Sequence, residues 1–159
     1  MAVLLGLILV STTRMRGRAR AVECLSNLRH IGVAFQLYAS DNSMRFPDPH
    51  VQHTSWESLI RPHLPSVNIL RCPADEEVHP VINSSYDWRD GSDPRNSAAV
   101  NTVESCRAGA VLAFDALPGW HQRDMINVVR IDNSAQSMDA QECFADLRRM
   151  VTAPPVARH

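Results

Sequence analysis

Lysine is absent: all 16 basic residues among the 159 are arginine, a bias that carries no mechanistic implication. No Cys-x-x-Cys pair occurs. Cys24, Cys72, Cys106 and Cys143 lie far apart, which argues against a zinc ribbon or a thioredoxin-type redox site. No basic patch with aromatic platforms follows the early arginines, which argues against nucleic acid as a partner. The only long apolar run, Met1 to Val10, is ten residues, against the ~20 that a bilayer-spanning helix needs. Its positive charge comes after the run, whereas a secretory signal carries it before. There is no internal repeat.

What is present suffices for one domain: a 45% hydrophobic chain of this length can bury a real core. A net charge of −1 conceals an asymmetry. The first forty residues carry five arginines against Glu23 alone, leaving the remainder acidic. Arg14, Arg16, Arg18 and Arg20 form a basic collar beside the apolar run, suited to anionic lipid headgroups at about 1 kcal/mol per cation. Then the pattern becomes amphipathic. Val22, Leu25, Leu28, Ile31, Gly32, Phe35 and Tyr38 recur in steps of three and four, one stripe of an α-helix. A continuous helix from Ala2 to Ser40 would be about 58 Å long. We read residues 1–40 as a stalk, with an apolar half (1–13) and an amphipathic half (14–40), and residues 41–152 as a globular cap.

Ser40-Asp41-Asn42 and Phe46-Pro47-Asp48-Pro49 end the stalk. Thr54 and Glu57 form a capping box for a short helix through Trp56, Leu59 and Ile60, stopped by Pro62. Trp56 is expected to pack on the stalk. Leu70 to Pro73 reads as a brief strand or turn, and Asp75, Glu76 and Glu77 as solvated. A weak β pattern covers Val81 to Trp88, with Tyr86 and Trp88 on one side; Asp87 to Asn101 is a loop. Strands follow over Gly109–Asp115 and Asn127–Ile131. Asp132-Asn133 makes a tight hairpin turn to a returning strand, Ala135 to Met138. Asp139 caps a last helix whose stripe is Cys143, Phe144, Leu147 and Met150 or Val151. Residues 153–159 are a loose tail. The expected class is α+β: a long N-terminal helix on a small antiparallel sheet, with a short C-terminal helix.

Several of these residues together resemble a family. Cys24-Leu25-Ser26-Asn27-Leu28, Ile31-Gly32, Tyr38 and then Phe46-Pro47 are similar to the leading block of bacterial type IV pilin-like proteins. They resemble especially the planctomycete-type pseudopilins named for a His-(nine residues)-Asp-Gly motif. Trp56, Cys72-Pro73-Ala74-Asp75 and the apolar strand ending at Asp115 continue the likeness. His121 and Asp132-Asn133 stand where the naming motif would be. The likeness covers Arg14 to Val151. It departs in three ways: ten residues separate His121 from Asp132, Asn133 replaces the glycine, and the prepilin leader with its Gly-Phe cleavage site is missing. Residues 1–10 then look like the second half of a membrane helix that begins upstream of Met1; the other reading is the start of a buried helix.

The resemblance implies a pilin-like fold and a non-enzymatic subunit anchored in the inner membrane, with its cap on the periplasmic side. Its partners would be other pseudopilins and the inner-membrane assembly proteins of a type II secretion-like or type IV pilus-like machine. It also implies a Cys24–Cys72 disulfide, worth roughly 3–4 kcal/mol if unstrained; two separate buried thiols are the alternative. A cell-surface or filament-tip binding module is the second function, favoured if Trp88 or Trp120 lies exposed in a concave site. A small metal-dependent hydrolase around His121, Asp115 and Asp132 ranks third. No nucleophile accompanies that group, and His121 and Asp132 read better as turn residues bonded to local backbone. The loop bearing Asp87, Asp90 and Asp93 offers oxygens of the kind calcium takes. Its spacing is not that of an EF-hand, so a bare solvated loop is the reading, with no metal or cofactor assigned. His50-x-x-His53 is assigned no chemistry.

Overall fold

Helix α1 runs from Ala2 to Asp41. The computed structural model describes residues 2–90 and 97–152, and side chains in α1 from Met15 onward. Asp93, the tail after Thr152 and the side chains of the apolar segment 1–13 thus lie outside the described residues. Among the described residues no helix is long and apolar enough to cross a membrane. The buried seam of α1 is Cys24, Leu28, Ile31, Phe35 and Tyr38, alternating steps of four and three that keep one face toward the core. Each large apolar side chain in it contributes about 1.5–3 kcal/mol. The expected stripe is corrected at its start. Val22 is 67% exposed and Leu25 only half-buried, because the seam turns through Cys24 instead. Left-handed Ser43 and Met44 reverse the chain after the helix.

Four antiparallel strands lie in the order β1-β2-β3-β4: Tyr86–Trp88, Val111–Asp115, Met125–Arg130 and Ala135–Asp139. The sheet is a middle layer. Leu112, Ala113, Val129 and Ile131 join the α1 core, whereas Val111, Phe114, Ile126, Val128 and Met138 meet helix α5 (Ala140–Leu147) on the other face. This is an α+β architecture: a long N-terminal helix and a short C-terminal helix on opposite faces of an antiparallel sheet.

The sheet has one irregularity, between β2 and β3. Val111 pairs with Arg130 and Ala113 with Val129, so β2 advances two residues while β3 advances one. The extra residue is a β-bulge at Leu112, and it shifts the strand's alternation by one. Leu112 and Ala113 both face α1, Phe114 faces α5, and Asp115 returns to the α1 side. Without the bulge, Asp115 would face away from α1.

The connections refine the expectations. Phe35 stacks on Trp56 at 5.6 Å and on Trp88 at 5.1 Å between ring centroids, with Phe46 edge-on at 6.1 Å. Helix α2 (Pro49–Gln52) is capped by Asp48. Helix α3 (Trp56–Ile60) is capped by Ser55, whose hydroxyl accepts from Ser58 N, and not by Thr54. Pro62 does not stop the chain's helical path: a 3-10 turn, Arg61–His63, continues it, since the first turn of a helix tolerates proline. A second 3-10 turn, Val67–Leu70, precedes Cys72. Asp75 is buried, not solvated. Its carboxylate accepts from the backbone N–H groups of Glu77, Val78 and His79 at 2.8–2.9 Å, at the start of helix α4 (His79–Ile82). That helix takes up the first part of the expected Val81–Trp88 strand. At the C-terminus Asp139 caps α5 through Gln141 N and Glu142 N, but Phe144 and Met150 are exposed; Cys143 and Val151 are buried.

Candidate functional site

Four side chains from four parts of the chain meet at the junction of α1 with the sheet. Cys24 comes from the α1 seam, and Asp115 from the end of β2, turned inward by the bulge. Cys72 follows the second 3-10 turn and is held by Ser85, whose hydroxyl accepts from Cys72 N at 2.9 Å. Asn27 of α1 ties the same segment down by donating to Arg71 O at 3.1 Å. His121 sits in the loop from β2 to β3, which reverses through Gly119 at φ 90°. Gly119 N donates to Met125 O, closing that loop on the start of β3.

The Cys24 thiol donates to Asp115 Oδ1 at 2.9 Å. Cys72 Sγ lies 3.3 Å from His121 Nε2, and Asp115 Oδ2 lies 4.0 Å from the same nitrogen. One donor atom from each of the four residues lies within 4.8 Å of all the others. Both cysteines are fully buried, and the Asp115 and His121 side chains are 2% and 7% exposed. A surrounding set of bonds orients them: Tyr86 Oη donates to Cys24 Sγ, Ala74 N to Cys72 Sγ, and Asn127 N to Asp115 Oδ2.

The protonation pattern arises from this crowding. The hydrogen bond with Cys72, burial and the Asp115 carboxylate all hold the Cys24 thiol protonated, far above its ordinary value. Hydrogen bonds from Cys24 and His121 push Cys72 well down, against its burial. Burial raises Asp115 to about 6, opposed by the Cys24 hydrogen bond. Burial disfavours charge on His121, but the contact with Cys72 and the charges of Cys72 and Asp115 outweigh it and move the imidazole up.

A cysteine beside a histidine invites comparison with a nucleophilic relay, and the geometry argues against one. In such a relay the acid orients the ring through the nitrogen opposite the nucleophile. Here Cys72 and Asp115 both face Nε2, while Nδ1 has no hydrogen-bond partner among the described residues. The four groups converge on a point instead of forming a line. A cavity of about 510 Å³ lies alongside, lined in part by Arg18, Leu25, His121 and Asn127.

The fold gathers some of the expected site residues and separates others. Cys24 and Cys72 are adjacent, as a disulfide would require, but all four cysteines are free thiols in the structure. His121 is corrected from turn residue to buried member of the cluster, because the β2–β3 loop folds back over Cys72. Asp132 stands apart from it: its carboxylate accepts from Ser134 N and Oγ in the β3–β4 turn, where Asn133 is left-handed at φ 65°. Gly32 lies against that turn; a Cβ there would collide with the Asn133 amide and come within 2.9 Å of a Val129 methyl. Leu28, Ile31, Tyr38, Phe46, Pro47 and Trp56 are core residues, Pro73 is half-buried beside Cys72, and Ser26 is exposed. Asp87 and Asp90 each have a neighbour of their own. Asp87 accepts from Trp88 N, and Asp90 lies 3.4 Å from His50 Nε2.

Sequence reasoning missed Arg89. Its side chain is buried and donates to Asp146 Oδ2 at 2.6 Å and to the carbonyls of Val111, Asp146 and Arg149. Asp146 also accepts from Arg107 and from Val111 N, each at 2.8 Å. Comparison with protein-family models, with curated proteins and with solved structures finds no match to this chain.

Proposed function

We propose that the chain is a non-enzymatic, pseudopilin-type subunit. Its first helix is the stem that lies in the inner membrane and then in a filament core, and its sheet rides outside as a periplasmic cap. The observation that supports this is the face of α1 turned away from the sheet. Met15, Val22, Val33 and Leu37 are 41–69% exposed. They are seven, eleven and four residues apart, which at 3.6 residues per turn places them on one side, opposite the Cys24–Tyr38 seam. Single exposed apolar residues are ordinary, but a stripe along a helix that is already packed on its other face offers a second contact surface. Its occupant in this reading is the same stripe on a second copy. The first buried side chain among those described in α1 is Cys24, and Met15 to Arg20 are all exposed. The arginine collar, with Arg16, Arg18 and Arg20 exposed, suits the headgroup level. A surface-binding module gains no support from the tryptophans: Trp88 is buried against Phe35, and Trp120 packs on the core.

The test uses the gene at its own locus with an epitope tag and, separately, Val33→Cys and Leu37→Cys variants. Fractionation should leave the product in carbonate-washed membranes, and a thiol cross-linker should give a ladder of dimers and higher species with either variant. Recovery in the soluble fraction, or no ladder beyond that of the unsubstituted chain, overturns the assembly role.

A further inference from the structure

We propose that Cys24, Cys72, Asp115 and His121 form a binding site for one tetrahedral divalent transition-metal ion, zinc by its chemistry. The donors are Cys24 Sγ, Cys72 Sγ, one Asp115 carboxylate oxygen and His121 Nε2. Zinc bonds of ~2.0–2.3 Å place the corners of its tetrahedron about 3.3–3.8 Å apart. Two donor pairs, Cys24 Sγ with Asp115 Oδ1 at 2.9 Å and Cys72 Sγ with His121 Nε2 at 3.3 Å, already lie at or just inside that edge, and one donor atom from each of the four residues lies within 4.8 Å of all the others. The ring nitrogen that faces both a thiol and a carboxylate, Nε2, is the one placed to ligate.

The donor set selects the metal. Two sulfurs with one imidazole and one carboxylate suit zinc or cobalt, whereas calcium and magnesium take oxygen alone. The surrounding bonds also belong to such a site. A backbone N–H directed at Cys72 Sγ, a hydroxyl at Cys24 Sγ and a backbone N–H at the second Asp115 oxygen are contacts that orient and temper metal ligands. Four protein donors and no open corner define a structural ion, not a catalytic one. The ligands bind in their deprotonated forms, so the Cys24 thiol must give up its proton to the solvent and uptake releases acid.

A disulfide between the same cysteines is the competing use of the site. It engages two of the four groups, removes the thiol that donates to Asp115, and leaves a buried carboxylate facing a buried imidazole. The ion engages all four. Its ligands span residues 24 to 121, so it ties α1 to the segment after the second 3-10 turn, to the end of β2 and to the β2–β3 loop. The site is defined by this geometry alone and is independent of filament assembly.

The full chain, reduced and stripped of metal with chelator, is titrated with cobalt(II) and then with zinc(II). One equivalent of cobalt should give the intense visible bands of a tetrahedral site and a thiolate-to-cobalt charge-transfer band. One equivalent of zinc should abolish both. Cys72→Ser and His121→Gln should weaken zinc binding by more than the ~100-fold that loss of an outer-shell partner costs, and His53→Gln, on an exposed helix end, should not. X-ray absorption on the zinc-loaded unsubstituted chain, which needs no variant to fold, should show two sulfur and two nitrogen or oxygen neighbours. The proposal is overturned if the folded, reduced chain takes up neither metal, if bound zinc has no sulfur neighbour, or if the two ligand variants bind as tightly as the original. It also fails if the chain isolated from its own compartment is two hydrogens lighter through a Cys24–Cys72 bond and binds no cobalt after reduction.

Discussion

Arg89 gives the sharpest test of how the sheet is held in register. Its guanidinium is almost fully buried and meets the Asp146 carboxylate 2.6 Å away. Replacing it by methionine keeps most of the volume while removing the cation and its donors to Val111 O, Asp146 O and Arg149 O. Asp146 keeps Arg107 and Val111 N, so the carboxylate is not stranded, but two buried carbonyls and one part-buried carbonyl lose a donor. Removing one member of a buried pair costs about 3–5 kcal/mol. The remaining Arg107 contact, only part-buried, places the expected loss near the lower end, about 3 kcal/mol. Urea denaturation followed by circular dichroism should then show the midpoint falling by about 1.5 M, taking a slope near 2 kcal/mol/M. A loss under 1 kcal/mol would mean that α5 and β2 are held by apolar contact alone, and the reasoning would be wrong.

The same substitution reaches the four-residue cluster. Arg89 Nε binds Val111 O, Arg89 N binds Leu112 O, and Asp146 binds Val111 N. These three bonds grip β2 at the bulge, and the bulge sets the face of Asp115. Arg89→Met removes the first of the three and should therefore weaken cobalt binding although Arg89 touches none of the donors. The acid limb adds a check of sign. Burial opposes ionisation of Asp146, but the bonds from Val111 N and Arg107 and the Arg89 charge prevail, so its carboxyl titrates below its ordinary value. The stability it supplies is present above the unfolded carboxylate value of ~3.9 and is lost as pH falls through the lower folded one. Asp146→Asn should flatten that limb between about pH 4 and the acid transition.

Three further outcomes are expected. Gly32→Ala should destabilise by about 1–3 kcal/mol through overpacking against Asn133 and Val129, and a second change, Asn133→Gly, should recover most of it in thermal melts. Asp75→Ala removes three acceptor bonds at the start of α4 and should cost about 2 kcal/mol at pH 7. Burial pushes the Asp75 carboxyl up, but the Ser85 hydroxyl and those three N–H groups outweigh it and hold it below its ordinary value, so the difference from the unsubstituted chain should vanish as pH falls through that lowered value. Ser55→Ala should cost about 1 kcal/mol in urea denaturation while Thr54→Ala costs little; the reverse order would restore Thr54 as the cap of α3.

Periodicity makes the large pieces legible. The α1 seam, the two apolar strands, the Asp132-Asn133 turn and the Asp139 cap each carry a local signal, because the residues that decide them lie within a few positions of one another. Val22 and Leu25 are misplaced for the same reason. Periodicity finds an apolar face but not where along it a sheet begins to press, and a cysteine counts for less than a leucine in such a pattern. Asp75 looks solvated beside two glutamates because its three donors are main-chain groups, which composition does not reveal. Arg89 looks like one more loop charge, since its principal partner is 57 positions away.

The cluster is hidden by a different circumstance. Cys24, Cys72, Asp115 and His121 each stand out in the sequence, but in separate pairings: the cysteines with each other, and the histidine with Asp115 and Asp132. Spacing cannot join them, because metal motifs are legible when two ligands share one turn and here the four come from a helix, a post-turn segment, a strand end and a loop. The decisive step is the bulge. Under unbroken alternation from Val111, with its side chain toward α5, Asp115 would also face α5, and no four-residue group would exist. One extra residue at Leu112 reverses that assignment and brings the carboxylate to Cys24. Deleting Leu112 takes away the bulge and its extra residue together: Ala113 then follows Val111 onto the α1 face, Phe114 keeps α5 and Asp115 keeps α1. A deletion variant that folds should therefore still bind cobalt, and a folded deletion variant that binds none would show that the face of Asp115 is not set by the residue count along β2.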